Sequence, residues 1–220
     1  SGDKDFTYRL EEIIPELEYA RNVGFEIGLH GGHEAYNDAT KIKKEKDYLE
    51  EQLGEVVNGY RNHYLRFITP QTFYCLEQNG VKYDTTLGFA ESTGFRNGMC
   101  YPFFPYDEVN NRFFNVAELP LHVMDQTLFK YNDFNEDQIL DEVRSIVSEV
   151  EKVNGVFTLL WHNNYVTGSR KRNFEKIIEY LLELDPWFAT GTELLNWYKK
   201  NKYFNDIKEL LLRLKTGELN

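Results

Sequence analysis

Two of the chain's five histidines flank a glycine pair in the run His30-Gly31-Gly32-His33, and Glu34 follows at once. Imidazole and carboxylate are ligands for Zn²⁺, and Mn²⁺, Fe²⁺ and Co²⁺ accept them too. Gly31-Gly32 disfavours a helix here, so the two rings do not stack on one helical face. Across a turn, His30 can instead converge with His33 or Glu34 on a single ion. A second chemistry sits far along the chain, where the apolar run VFTLLW ends on His162. Histidine titrates near neutrality and is the commonest general acid or base. Asp125, just past the run ELPLHVM, is a candidate to orient it. Arg61, with His63 two residues on, and Asp84 and Arg96 also fall near the ends of strand-like segments. Asp84 and Arg96 are candidate sugar contacts or structural groups. Trp161 has the flat ring that stacks on a sugar, or else fills a core.

These groups need elements to hold them. Apolar residues recur at helical spacing over 8–22, with Gly24 as a stop, and a short strand follows over 25–30. A charged helix over 41–53 ends at Gly54, and a strand is expected near 55–61. Thr69-Pro70 opens a helix to about residue 78. The runs 81–89 and 118–125 read as strands, and the aromatic-rich stretch between Gly94 and Pro120 as long loops around short strands. A helix is expected over 135–152 with Asn135 as its cap. Then come the strand ending on His162, a helix over 173–184, a short strand over 187–190, and helices from Thr192 and over 204–214. Trp187 and Trp197 fall on apolar faces and read as core. His122 reads as a site-wall residue or an inward strand position. Strand and helix alternate, which argues for a parallel α/β sheet or barrel. In such folds function collects at the carboxyl ends of strands, where His30, Arg61 and His162 all fall.

Composition narrows the function classes. A formal net charge of −11, with basic residues only in short clusters such as Lys41–Lys46, argues against nucleic acid as a partner. No apolar run reaches the length of a membrane span. Cys75 and Cys100 form no framework and no paired zinc knuckle, which points to a reduced, cytoplasmic setting. At 220 residues the chain fits one domain, with a lead and helix over 1–24, a core over 25–200 and a C-terminal helix over 201–220.

The ordered run GFEIGLHGGHEAYND, VVNGYRNHYLRFITPQTF, GVKYDTTLGFAESTGFRNGMCYPFFPYD, LPLHVMDQTL and GVFTLLWHNN resembles the polysaccharide deacetylase superfamily, with its NodB homology fold. The likeness is strongest to a bacterial branch found with surface-polysaccharide genes. It implies a distorted (β/α) barrel that removes N-acetyl or O-acetyl groups from a sugar with one divalent metal, Zn²⁺ foremost. In the family, an Asp-Asp pair after the first strand supplies a base and a ligand, and a His-(Ser/Thr)-x-x-His motif supplies two more ligands. His30 matches the first histidine. The second position falls on Glu34, with His33 one residue early, so Glu34, His33 or His63 takes that place. Arg61 stands where the family has the arginine that orients the base, with Asn62 in place of the usual proline. Leu160-Trp161-His162 matches the Leu-x-His whose histidine is the acid.

The resemblance also implies strands and an Asp-Asp motif ahead of residue 25. Asp3-Lys4-Asp5 has that spacing but no apolar strand before it, and reads as a solvated turn. The expectation is therefore a barrel lacking its first strands in this chain, with exposed sheet edges that a second copy could cover in a homo-oligomer. The functional expectation is a metal-dependent sugar deacetylase in surface-polysaccharide biosynthesis. Its rivals are an inactive carbohydrate-binding or scaffold domain with the same fold, and another metal-dependent amidohydrolase.

Overall fold

The computed structural model describes residues 8–201 and Arg213. Its helices and strands alternate up to the third α-helix, after which five short strands follow one another. In chain order they are α1 (Ile14–Asn22), β1 (Leu29–Gly31), α2 (Ala39–Leu53), β2 (Gly59–Asn62), α3 (Gln71–Gln78), β3 (Tyr83–Asp84), β4 (Tyr106–Asp107) and β5 (Arg112–Phe113). They continue with β6 (Ala117–Glu118), β7 (Val123–Met124), α4 (Glu136–Lys152), β8 (Leu159–Leu160), α5 (Gly168–Glu183) and α6 (Gly191–Lys200). β1, β2, β3 and β6 form a parallel sheet in that order, and β7 pairs parallel with β8. β4 and β5 form a small antiparallel hairpin. The architecture is α/β with parallel strands, as the alternation predicts.

Local chemistry sets the boundaries. Pro15 stands in the first turn of α1, where its missing N–H costs nothing, so the helix starts there after a 3₁₀ turn over Leu10–Glu12. The expected single helix over 8–22 is thus two pieces. Asp38 caps α2 by accepting from Thr40 N and Lys41 N, and Gly54 ends it in the left-handed region at φ 68°. Asn135 and Gln138 form a reciprocal capping box at α4. α5 begins at Gly168, earlier than expected, and residues 187–190 form no strand. The expected helix over 204–214 lies outside the described residues apart from Arg213.

The strands are shorter than the apolar runs suggest, for two reasons. In the run over 81–89, Asp84 accepts from Thr86 N (2.9 Å) and Thr86 Oγ1 (2.6 Å), so a side chain replaces the ladder after β3. In the run over 118–125, Pro120 has no N–H and interrupts the pairing. Leu119 N and Leu121 N donate to Asp84 O and Leu87 O, whereas His122 N and Val123 N donate to Thr158 O. One segment therefore closes the first sheet and opens the second.

Two cores flank this framework. Leu29, Ile42, Val57, Tyr60, Phe73 and Phe114 belong to the cluster under α2 and α3. Val123, Ile139, Val143, Ile177 and Leu181 belong to the cluster between β7–β8 and the pair α4 and α5. Trp187 and Trp197 are not core. They are 57% and 52% exposed, with their rings 6.1 Å apart. The sequence pattern places them on apolar faces but does not specify what covers those faces.

His122 is a buried group with a measurable consequence. Its ring lies between Phe95 (centroids 5.1 Å apart) and Phe157 (6.3 Å), and Nδ1 accepts from Thr158 N at 3.1 Å. Burial pushes its pKa down to about 4, against a weaker opposing pull from the Met99 backbone. The unfolded chain takes up this proton near pH 6.5, whereas the folded chain resists until about pH 4. Stability from this group is full above pH 6.5 and falls as pH drops toward 4. The loss is on the order of 3 kcal/mol. Urea titrations at pH 7 and pH 4.5 test this: His122→Asn should lose clearly less stability between the two pH values than the parent. An equal loss in both would assign the acid sensitivity elsewhere.

Candidate active site

Because the main strands are parallel, their carboxyl ends gather on one side of the sheet. Each of the six delivers a polar group there. β1 carries His30, β2 carries Arg61, β3 ends on Asp84 and β6 ends on Glu118. Asp125 follows β7 directly, and His162 stands two residues beyond β8. A cavity of about 550 Å³ opens among them, lined by His30, Arg61, Tyr60, Tyr83, Thr85 and His162 among others.

His162 is the best-fixed of these groups. Its Nδ1 lies 2.7 Å from Asp125 Oδ1, and its backbone N–H donates to Asp125 Oδ2. Gln126 N also donates to Oδ1, at 2.5 Å. Asp125 is fully buried, so both carboxylate oxygens are spent on holding one residue. With Nδ1–H directed at Asp125, Nε2 is left to serve the cavity.

Opposite stands a histidine cluster. His30 Nε2 and His63 Nδ1 are 3.0 Å apart, with the rings edge-to-face. His63 directly follows β2, and in the turn after it Tyr64 (φ 57°) and Leu65 (φ 51°) both adopt the left-handed region. Such a conformation costs on the order of 1 kcal/mol per residue and is sustained by the surrounding packing. His30 keeps an exposed edge, yet the protein mass around it pushes its pKa down to about 4, and the charges of His63, Arg61 and His162 add to the shift. Its imidazole is thus neutral at pH 7, as a metal ligand must be.

The four candidate ligands separate into two groups. His33 and Glu34 are joined to each other at 2.6 Å. Arg66 Nη1 donates to Glu34 Oε1 (2.7 Å) and to the His33 carbonyl (2.7 Å). The Arg66 guanidinium also lies 4.2 Å from the Tyr36 ring centre. Hydrogen bonds to Arg66 and His33 hold Glu34 below the usual carboxylate range. The His33 ring lies 6.4 Å from that of His63, centre to centre. His30 and His63 are therefore the pair whose nitrogens converge. Two imidazoles fit two positions of a borderline divalent ion such as Zn²⁺. No set of three metal-ligand side chains forms among the described residues. Asp3 and Asp5 lie outside the described residues.

Arg61 is half-buried at the cavity floor, with Nε donating to Thr85 O at 3.1 Å. Burial lowers its pKa, and the Asp84 and Glu118 carboxyls oppose that shift. Asp84 is fully buried and bonded to Thr86, so it faces the protein rather than a ligand. Trp161 packs against Phe129 (5.5 Å) and Phe174 (5.2 Å), beside the second core and outside the cavity lining. Arg96 Nη1 donates to Gly88 O and lines a separate depression with residues 88–92. Glu118 was not singled out from sequence, although a lone acid inside the apolar run AELPL is a signal that could have found it.

No protein-family model matches the sequence, and no curated protein matches it. Solved structures do. A structure described as a polysaccharide deacetylase from Mycobacterium smegmatis superposes with a TM-score of 0.66 at 19% identity, covering 84% of this chain and 67% of that one. A second, described as a polysaccharide deacetylase from Pseudomonas aeruginosa, gives 0.66 at 17% identity, covering 87% of this chain and 65% of that one. An allantoinase gives 0.66 at 14% identity with the same coverages, 87% and 65%. The chain spans about two thirds of the length of each of these structures. Its fold is the (β/α) barrel type of the polysaccharide deacetylases.

Proposed function

We propose that this chain carries a carbohydrate deacetylase site acting on an N-acetylated or O-acetylated sugar of a surface polysaccharide. The observation that carries the reading is the His162–Asp125 couple, fixed through both carboxylate oxygens, with His162 lining a cavity that His30 also lines and His63 in contact with His30. His162, protonated on both nitrogens, gives its Nε2 proton to the departing amine or alcohol as the acyl bond breaks. Asp125 keeps the ring oriented and offsets its positive charge. Arg61 supplies fixed positive charge at the cavity floor, where the acetyl oxygen or an anionic base is held. His30 and His63 are the residues that would hold one divalent ion, with Zn²⁺ favoured and Mn²⁺, Fe²⁺ and Co²⁺ suited. Such an ion, when bound, polarises the acetyl carbonyl and lowers the pKa of water.

The test is bound metal followed by turnover. Elemental analysis of the purified chain after incubation with Zn²⁺ is expected to show about one equivalent, as for a single catalytic site. His30→Ala and His63→Ala should each lower affinity by at least about tenfold, since each removes one donor. Acetate release is then followed on N-acetylated and O-acetylated oligosaccharides, with a non-sugar amide beside them because an allantoinase shares the fold. Absence of bound metal in the parent chain would sink the metal-dependent reading. Sugar binding without acetate release would favour the second reading, a carbohydrate-binding domain. That reading draws on the convergence of two imidazoles rather than three ligands among the described residues.

A further inference from the structure

Beneath the cavity lie two carboxyl groups that the proposed chemistry does not use. Asp84 and Glu118 are directly paired in register on adjacent parallel strands, and both are fully buried. Asp84 Oδ2 accepts from Thr86 N (2.9 Å) and Oδ1 from Thr86 Oγ1 (2.6 Å). Glu118 Oε1 accepts from Leu87 N at 3.0 Å. Glu118 Oε2 is buried with no N–H or hydroxyl partner. A buried anionic oxygen without a donor costs several kcal/mol, and two adjacent anions repel in a medium of low dielectric. One arrangement removes both penalties: Oε2 carries a proton and points it at Asp84.

We propose that Glu118 is held as the neutral acid, donating from Oε2 to the Asp84 carboxylate, and that this one-proton pair is the buried counter-ion seating Arg61 at the cavity floor. The charges then balance as one anion against one guanidinium. The titratable groups facing the pair are Arg61 and Tyr60, both from β2. Burial, then the Asp84 charge, raises Glu118 well above the ordinary glutamate value; burial raises Asp84 too, and its hydrogen bonds with Glu118 and Thr86 and the Arg61 charge oppose that rise. Glu118 is on this account a positioning residue, acting on the cavity through Asp84 and Arg61. Its relevance to turnover rests on the deacetylase reading, but its protonation does not.

Infrared difference spectroscopy of the intact chain at pH 7 tests the protonation without substrate or metal. The parent minus Glu118→Gln spectrum is expected to contain a carboxylic-acid carbonyl band that shifts in D₂O. Asp84→Asn should also abolish it, because Glu118 then ionises and accepts from the new amide. No acid band in the parent at pH 7, or a band that survives in Glu118→Gln, overturns the proposal. Hydrogen exchange at Arg61 Nε tests the seating. The bond to Thr85 O should protect this proton in the parent, and the double variant Asp84→Asn/Glu118→Gln should exchange it at least about tenfold faster. Unchanged exchange in a folded double variant overturns the counter-ion role. If the acid band is found but acetate release is not, the deacetylase reading fails and this one stands.

Discussion

His162→Gln is expected to reduce acetate release from an acetylated sugar by about 10²–10⁴-fold in kcat, with little change in KM. Glutamine is neutral and cannot deliver a proton, yet it occupies similar space and can still donate to Asp125. The other residues that line the cavity are untouched, so the ground-state complex should form as before. Asp125→Asn should cost nearly as much. Its Nδ2 would then face the Nδ1 side of His162 as a donor, which favours the wrong tautomer and withdraws the charge that stabilises the imidazolium. Because the two residues act as one device, the double variant should be only slightly worse than His162→Gln alone. Multiplicative losses would show that Asp125 works on something else. An unchanged kcat in His162→Gln would remove the acid from the mechanism and with it the observation on which the proposed function rests.

Much of this site was legible because of where strands end. The apolar runs that stop at His30, Arg61 and His162 mark the carboxyl ends of buried parallel strands, and the topological rule for such sheets does the rest. Asp125 follows from the same logic. The parts that were hidden depend on details that periodicity cannot carry. ELPLHVMD looks like one strand, but Pro120 divides it, so Glu118 belongs to β6 at the sheet's carboxyl end and not to the start of a longer strand. The convergence of His63 on His30, rather than Glu34 or His33, follows from the register of β1 with β2, which sets Gly31 beside Asn62 and the two strand ends side by side. Which strands become neighbours is a tertiary fact that periodicity within one segment does not carry. Glu34 was attractive by spacing alone, and what claims it is Arg66, 32 residues further along the chain.

Phe114→Ala carries the largest expected loss of stability, about 3–5 kcal/mol. The side chain is 1% exposed. Its ring lies 5.5 Å from Phe73 and 5.0 Å from Tyr74, both on α3, and the Arg112 guanidinium sits 5.4 Å from its centre. Its backbone N–H donates to Pro105 O across the β4–β5 hairpin, and its ring seats that hairpin against the first core. Truncation therefore leaves a void and also frees the anchor of the irregular stretch between Gly94 and Pro120. A typical domain has only about 5–15 kcal/mol in total, so Phe114→Ala should unfold at markedly lower urea. Phe114→Leu, which retains most of the volume, should lose much less. Phe114 is not a lining residue of the cavity and touches neither His162 nor His30. Folded Phe114→Ala at low temperature should thus retain the parent's kcat, the mirror image of His162→Gln, which should retain the parent's urea midpoint. Loss of kcat in folded Phe114→Ala would mean that the aromatic excursion helps shape the cavity. Equal stability of Phe114→Ala and the parent would mean that the excursion is not anchored through this ring.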